Sequence, residues 1–273
     1  MVHIRQKGFI NVGNIRVRVC SDLESMGRQT TTIAKTILSD LARRDLEPFI
    51  CWASAPSQHP GQNAIVRDPE ILAMLRGGIH VHMDEYVGQS SSDPDSFSGD
   101  IQNRIIDHIG LTGRGKWLPI NGRATDPYAE AARLTRQWFQ YGGAPHILFG
   151  GVGEDNHLAF DAAPTEDRAP GYFVIDLPES TRLQQVREGR YAGLKDVPSQ
   201  AITLNKEAYI LARVLIMQIH GKHKAQAVLD MLKNLAEPKR EVVASYLGRC
   251  TGEVYVLLDR AAASLAREAG YLR

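Results

Sequence analysis

Two short runs that read as strands each end in a loop dense with polar side chains and glycine. Residues 78–81 lead into His82-Met83-Asp84-Glu85-Tyr86-Val87-Gly88, and residues 145–149 lead into Gly150-Gly151-Val152-Gly153-Glu154-Asp155-Asn156-His157. Runs this short, bounded by turn residues, have strand rather than helix length. In open α/β sheets ligands bind where strands end, because the loops there leave a crevice faced by helix N-termini. A carboxylate pair, an Asp-x-His and a glycine-rich turn meeting in one crevice point to proton-transfer chemistry on a small polar substrate.

The 273 residues suffice for one large or two small domains. No repeat, low-complexity tract or linker divides them, so a single domain over 1–273 is expected. The formal net charge of +1 argues against a general nucleic-acid or membrane partner. The three cysteines, Cys20, Cys51 and Cys250, are widely spaced and odd in number. They make neither a disulfide framework nor a Cys-x-x-Cys metal site, which fits a reducing compartment. Residues 1–7 have no long apolar run behind them, and no stretch nears the roughly 18 apolar residues of a membrane span. A cytoplasmic protein is expected.

Strand and helix patterns alternate along the chain. Residues 23–42 carry Ile33, Ile37, Leu38 and Leu41 at helical spacing. Residues 49–53 read as a buried strand and 54–61 as a turn-rich stretch. Asp68-Pro69 and Asp126-Pro127 have the form of helix starts, with Asp as N-cap and Pro at the first helical position. Residues 79–83, 171–177, 201–204, 213–219 and 253–258 read as further strands, and 101–109, 223–235 and 261–269 as helices. Residues 206–215 stay open between strand and helix. The alternation implies a three-layer, doubly wound, mostly parallel α/β sheet with helices on both faces.

Three segments together resemble the glucosamine-6-phosphate deaminase/isomerase family. They are Met83-Asp84-Glu85-Tyr86-Val87-Gly88 with Pro94-Asp95-Ser96-Phe97; Gly150-Gly151-Val152-Gly153-Glu154-Asp155-Asn156-His157-Leu158-Ala159-Phe160; and Gly221-Lys222-His223-Lys224-Ala225 after Ala201-Ile202-Thr203-Leu204. They keep the family's order from about residue 20 to residue 260. The resemblance implies the α/β fold shared with 6-phosphogluconolactonases and ribose-5-phosphate isomerases. It also implies amino-sugar-phosphate metabolism, a sugar-phosphate ligand and no redox cofactor. A homo-oligomer is compatible with it.

The resemblance makes Asp84 the enolisation base. One carboxylate can move a proton between adjacent carbons if it is held close to both and away from water. Glu85 is expected to support the site. His157 is implied as the proton shuttle to the sugar ring oxygen, a role suited to its ordinary pKa near 6.5, with Asp155 orienting it. Gly151 and Gly153 let backbone N–H groups approach a ligand. Ser54 and Ser57 align with the family's phosphate loop, and Arg182 and Lys224 with its cations.

The chain also departs from the pattern. The family's ring-opening Glu is replaced by Ala162, and Asp161 lies one residue early. Asn156 stands where the family has Gly. Ser54-Ala55-Pro56-Ser57 replaces a Thr-Gly-Gly-Thr-type loop, and Pro56 has no N–H to give a phosphate. His80, His82 and Asp84 alternate on what reads as one strand face, but two buried histidines suit structural roles and no metal is expected. Arg182, Arg187, Arg190 and Lys195 are interleaved with acids, as on a solvated face. Two further functions remain open: a lactonase resembling 6-phosphogluconolactonase, and a weakened sugar-phosphate binder.

Overall fold

The computed structural model describes residues 8–272; residues 1–7, read above for a leader, lie outside that range. The strands are β1 (Ile10–Val12), β2 (Ile15–Val19), β3 (Phe49–Trp52), β4 (Ile79–His82), β5 (Asp84–Tyr86), β6 (Lys116–Leu118), β7 (Ile147–Gly150), β8 (Tyr172–Asp176), β9 (Gln200–Leu204), β10 (Val214–Ile219) and β11 (Glu253–Leu258). The helices are α1 (Leu23–Arg43), α2 (His59–Ile65), α3 (Pro69–Leu75), α4 (Phe97–Ile101), α5 (Asp107–Ile109), α6 (Pro127–Gln140), α7 (Glu179–Arg187), α8 (Lys206–Ile210), α9 (Ala225–Lys233) and α10 (Ser264–Glu268).

Eight strands form one sheet in the order β1-β2-β11-β10-β7-β3-β4-β6. Only β1 and β2 pair antiparallel; the other neighbours are parallel. Both faces are covered. In β3, Phe49 and Cys51 join one apolar layer while Ile50 and Trp52 join the other. All six residues of β10 are buried, as expected where parallel strands have helices above and below. From β3 the chain builds outward through β4 and β6. It then returns to β7 and builds the other way through β10 and β11. The order reverses between β3 and β7, and the carboxyl ends of adjacent strands there open a crevice.

The helix starts follow from local chemistry. Asp68 Oδ1 accepts from the N–H groups of Glu70 and Ile71, and Asp126 Oδ1 from those of Tyr128 and Ala129. Each cap satisfies donors that the first helical turn leaves unpaired. Residues 101–109 are helical as the isoleucine spacing predicts, with Ile101, Ile105, Ile106 and Ile109 all buried. No helix among the described residues is long and apolar enough to cross a membrane.

Three local expectations are corrected and one open stretch is settled. Residues 171–177 and 201–204 form strands outside the main sheet: β5, β9 and β8 make a separate antiparallel sheet. The turn-rich stretch 54–61 contains the start of α2. The open stretch 206–215 holds α8, capped by Asn205 accepting from Ala208 N–H, and then the start of β10. His80, His82 and Asp84 do not share a strand, because β4 ends at His82. Met83 bridges the two sheets: its N–H donates to Trp52 O in the main sheet, and its carbonyl accepts from Leu204 N–H in the small one. That crossing sets Asp84 just beyond the carboxyl ends of β3 and β4.

Candidate active site

Four segments meet above the β3–β7 crevice: the loops after β3, β7 and β10, and the start of β5. They enclose a cleft of about 540 Å³, open solvent included, lined among others by Ser54, Ser57, Asp84, Gly151, Gly153, His157 and Lys224. Most of the residues the sequence singled out therefore face one space. Asp155, Arg182, Glu85 and Asp161 do not line it.

Asp84 is 7% exposed. Its carboxyl is pushed up to about 8, chiefly by burial and further by the Glu85 charge, while Arg190 pulls it down. A buried carboxylate lacking a close cation favours its protonated form. Glu85 plays a different part. Its Oε2 accepts from the Ser96 hydroxyl at 2.6 Å and from Ser98 N–H at 2.8 Å, and its Oε1 accepts from Tyr86 N–H. It ties β5 to the start of α4, which brings Phe97 to the cleft wall. Burial raises Glu85 as well, with these hydrogen bonds opposing the rise.

The loop after β7 holds the imidazole. His157 Nδ1 lies 2.6 Å from Asp155 Oδ1, a close contact that is off the straight line of a hydrogen bond. Asp155 Oδ2 accepts from Ser180 and Thr181 at 2.7 and 3.0 Å. Burial alone would raise Asp155; the His157 charge and these hydrogen bonds reverse that and hold it well below the usual carboxylate range. A Cβ at Gly153 would stand 2.3 Å from the His157 ring, so only glycine lets the loop fold over it. Asn156, at φ +69°, occupies the left-handed region that Asn tolerates better than other side-chain-bearing residues. The loop therefore keeps its shape without the family's glycine.

Ala162 is buried and holds no proton. Asp161 does not replace the missing carboxylate: its Oδ1 accepts from Thr165 and its Oδ2 from Lys206 N–H. It fixes the 161–165 turn to α8, and burial raises it.

Arg182 donates instead to the carbonyls of Leu194 and Val197 at 2.7 and 2.9 Å, and the expectation that it faces an anion is corrected. The reason lies in α7. Thr181, Gln184 and Gln185 are its buried residues, and with Glu188 they share one helical face. Gln184, Gln185 and Glu188 line the cleft, while Arg182 falls off that face. A helix whose inward stripe is polar is the signal that sequence reasoning passed over.

Two other arginines come close. Arg190, expected on a solvated face, packs its guanidinium 4.4 Å from the Phe97 ring centroid and donates to Asp95 O and Ser54 Oγ. Arg187 lines a recess beside the cleft with Ser57, Glu154, Glu188, His220, His223 and Lys224, and is ion-paired to Glu154. Lys224 is 5% exposed, and burial lowers its pKa against the pull of Glu188 and Glu154.

The histidines of β4 are engaged within the fold, although His82 Nδ1 is buried without a hydrogen-bond partner. His80 Nδ1 accepts from Trp52 Nε1 at 3.2 Å, with Nε2 3.0 Å from Leu75 O, and His82 Nε2 accepts from Ile120 N–H. Burial lowers them to about 4 and about 3. No group of three or more His, Cys, Asp or Glu among the described residues is arranged to hold a metal.

No protein-family model matches the chain. Curated relatives do. A glucosamine-6-phosphate deaminase of an Exiguobacterium species is 35% identical over 188 residues, 69% of this chain and 70% of the relative. Glucosamine-6-phosphate deaminase 1 of Bacillus subtilis is 33% identical over 186 residues, 68% of this chain and 73% of its own. Among solved structures, a monomeric glucosamine-6-phosphate deaminase of the NagB superfamily superposes with a TM-score of 0.82 at 25% identity, covering 91% of this chain and 99% of that one. The 6-phosphogluconolactonase of Trypanosoma brucei superposes at 0.71 and 16% identity, over 91% and 97% of the two chains; that likeness is one of fold. With an acid after β4, an Asp-x-His after β7 and a lysine after β10 around one cleft, and with relatives this similar over two thirds of their length, the chain belongs to the glucosamine-6-phosphate deaminase family.

Proposed function

We propose that the chain acts on a hexosamine-6-phosphate, converting the open-chain aldose to a ketose with release of ammonia. The observation that carries this reading is that Asp84 and His157 line one cleft, one as a buried carboxyl pushed up to about 8, the other as an imidazole backed by a carboxylate.

Asp84 takes the proton from carbon 2 and returns it to carbon 1. The resulting imine at carbon 2 adds water and expels ammonia, so one water is consumed for each ammonia released. A carboxyl whose pKa lies near the operating pH both accepts and returns a proton readily. A substrate ammonium brought within about 4–6 Å draws the carboxyl back toward its charged form. His157, backed by Asp155, moves the proton that opens the sugar ring. With Ala162 in place of a glutamate and Asp161 engaged elsewhere, this pair works without a further carboxylate from that turn. The backbone at Gly151 and Gly153 borders the sugar.

The phosphate lies toward Ser54, Ser57 and Lys224, with Arg187 and Arg190 as neighbouring cations in place of Arg182. Arginine grips phosphate with parallel bonds where lysine supplies a point charge. The test is turnover of glucosamine-6-phosphate and galactosamine-6-phosphate, followed as ammonia and as ketose. Formation of both products from either sugar supports the reading; absence of both, with purified folded protein, refutes it.

A further inference from the structure

Lys224 does not wait for its ligand alone. Its Nζ stands 3.8 Å from Glu188 Oε1, and the two side chains are 6% and 17% exposed. Both line the cleft, and both line the recess shared with Ser57 and Arg187. Glu188 is held there: Gln184 Nε2 donates to its Oε1 at 2.7 Å, and Gln184 Oε1 accepts from Glu154 N–H at 2.9 Å. Arg187 is likewise paired, to Glu154 at 2.6 Å. Two cations of this end of the cleft thus face two carboxylates of the chain itself.

We infer that Glu188 is a built-in counter-ion for Lys224 which the substrate phosphate must displace, so that this carboxylate sets the affinity of the site for phosphate. The inference rests on the reading that this end of the cleft takes the phosphate.

A separation of 3.8 Å is long for a charge-assisted contact, which closes to about 2.7–2.9 Å when optimal. Burial still depresses the Lys224 ammonium despite Glu188, so the pair leaves the cation incompletely compensated. A phosphate oxygen in direct contact with Nζ compensates it better. It also brings negative charge against Glu188 in a partly desolvated space, where like charges repel strongly. Displacement relieves that repulsion and breaks the Gln184 hydrogen bond. Since Gln184 also holds Glu154 N–H, one residue before Asp155, displacement reaches the loop that carries His157.

The experiment is calorimetric titration of inorganic phosphate into the wild type, Glu188→Gln, Glu188→Ala and Lys224→Gln, with KM and kcat for glucosamine-6-phosphate measured on the same proteins. Removing the carboxylate's charge is expected to tighten phosphate binding by about five- to tenfold, as loss of a facing like charge does. The same change is expected to lower KM more than it alters kcat. Lys224→Gln is expected to weaken phosphate binding. Unchanged or weaker binding in both Glu188 variants, with melting curves showing them folded, overturns the inference. So does a collapse of kcat at unchanged KM, which would make Glu188 a proton carrier instead. Tighter phosphate binding without turnover of any hexosamine phosphate by the wild type would sustain the inference and sink the proposed function.

Discussion

His157 Nδ1 lies 2.6 Å from Asp155 Oδ1, and Asp155 is itself pinned by Ser180 and Thr181 from α7. The contact assigns Nδ1 to the protein and leaves Nε2 for a ligand. It also joins the loop after β7 to the helix that walls the cleft. Replacing His157 by Gln is expected to cut turnover of a ring-closed amino sugar by about 10²–10⁴, the usual worth of a positioned acid–base group. Asp155→Asn is expected to fall short of that loss, since the imidazole remains but loses the carboxylate that orients it. Steady-state rates across pH 5–9 check both.

Asp84 links activity to stability with opposite signs. Its carboxyl is pushed up to about 8 in the fold, against about 3.9 in an unfolded chain. The native protein therefore keeps a proton that the unfolded chain releases, and stability falls as pH rises from about 4 to about 8. Asp84→Asn removes that penalty. The variant is expected to melt about 10–20 °C above the wild type at pH 9, at about 1.4 kcal/mol for each pH unit between the two pKa values and about 2–4 °C per kcal/mol for chains near this size. The difference should vanish at pH 4, and turnover should be lost throughout. Calorimetric melts at the two pH values test the sign.

The same carboxyl predicts a pH–rate profile. kcat/KM reports the free enzyme, so it is expected to rise toward pH 8 as Asp84 ionises. The kcat limb is expected at lower pH, because a bound substrate ammonium favours the carboxylate. Coincident limbs for the two parameters would contradict this.

Gly153→Ala places a methyl 2.3 Å from the His157 ring, so the ring must move. A displacement of about 1 Å can cost about 10² in rate. The expected result is a loss of kcat larger than the change in KM, with the melting temperature little altered. Kinetics alongside a melting curve separate this from general damage to the fold.

Arg182 and Arg190 are expected to part company. Arg182→Ala leaves the Val197 carbonyl without its donor and the Leu194 carbonyl with Val197 N–H alone, a loss of about 1–3 kcal/mol in stability. Its KM per folded enzyme should hold. Arg190→Ala removes the cation that bridges Ser54, Asp95 and Phe97 and draws down Asp84. It should weaken substrate binding and push the kcat/KM limb to higher pH. Parallel urea melts and kinetics distinguish the two.

Much of this architecture was legible in the residues. β11 was readable to its ends, because a run of buried residues bounded by turns leaves little freedom. The convergence of Asp84 and His157 followed from their places after apolar runs, since parallel strands send such loops to one edge, whereas Lys224 was indicated only by the family resemblance. Other features were illegible for definite reasons. Alternation marks a strand but does not name its sheet, so β8 and β9 were assigned to the wrong one. β2 carried a signal that went unread: Ile15, Val17 and Val19 alternate with Arg16 and Arg18. On α7 the inward face is polar, so hydrophobic spacing could not tell which arginine turns toward the cleft or that Glu188 does. Asp161 looked like a spare carboxylate, and only its bonds to Thr165 and Lys206 reveal its structural part.

The most direct measurement is turnover in ordinary water of glucosamine-6-phosphate deuterated at carbon 2, with the ketose examined for deuterium at carbon 1 by nuclear magnetic resonance. The account predicts a ketose labelled at carbon 1 from the wild type, and neither label nor ketose from Asp84→Asn. Labelled ketose formed by Asp84→Asn at the wild-type rate would contradict it.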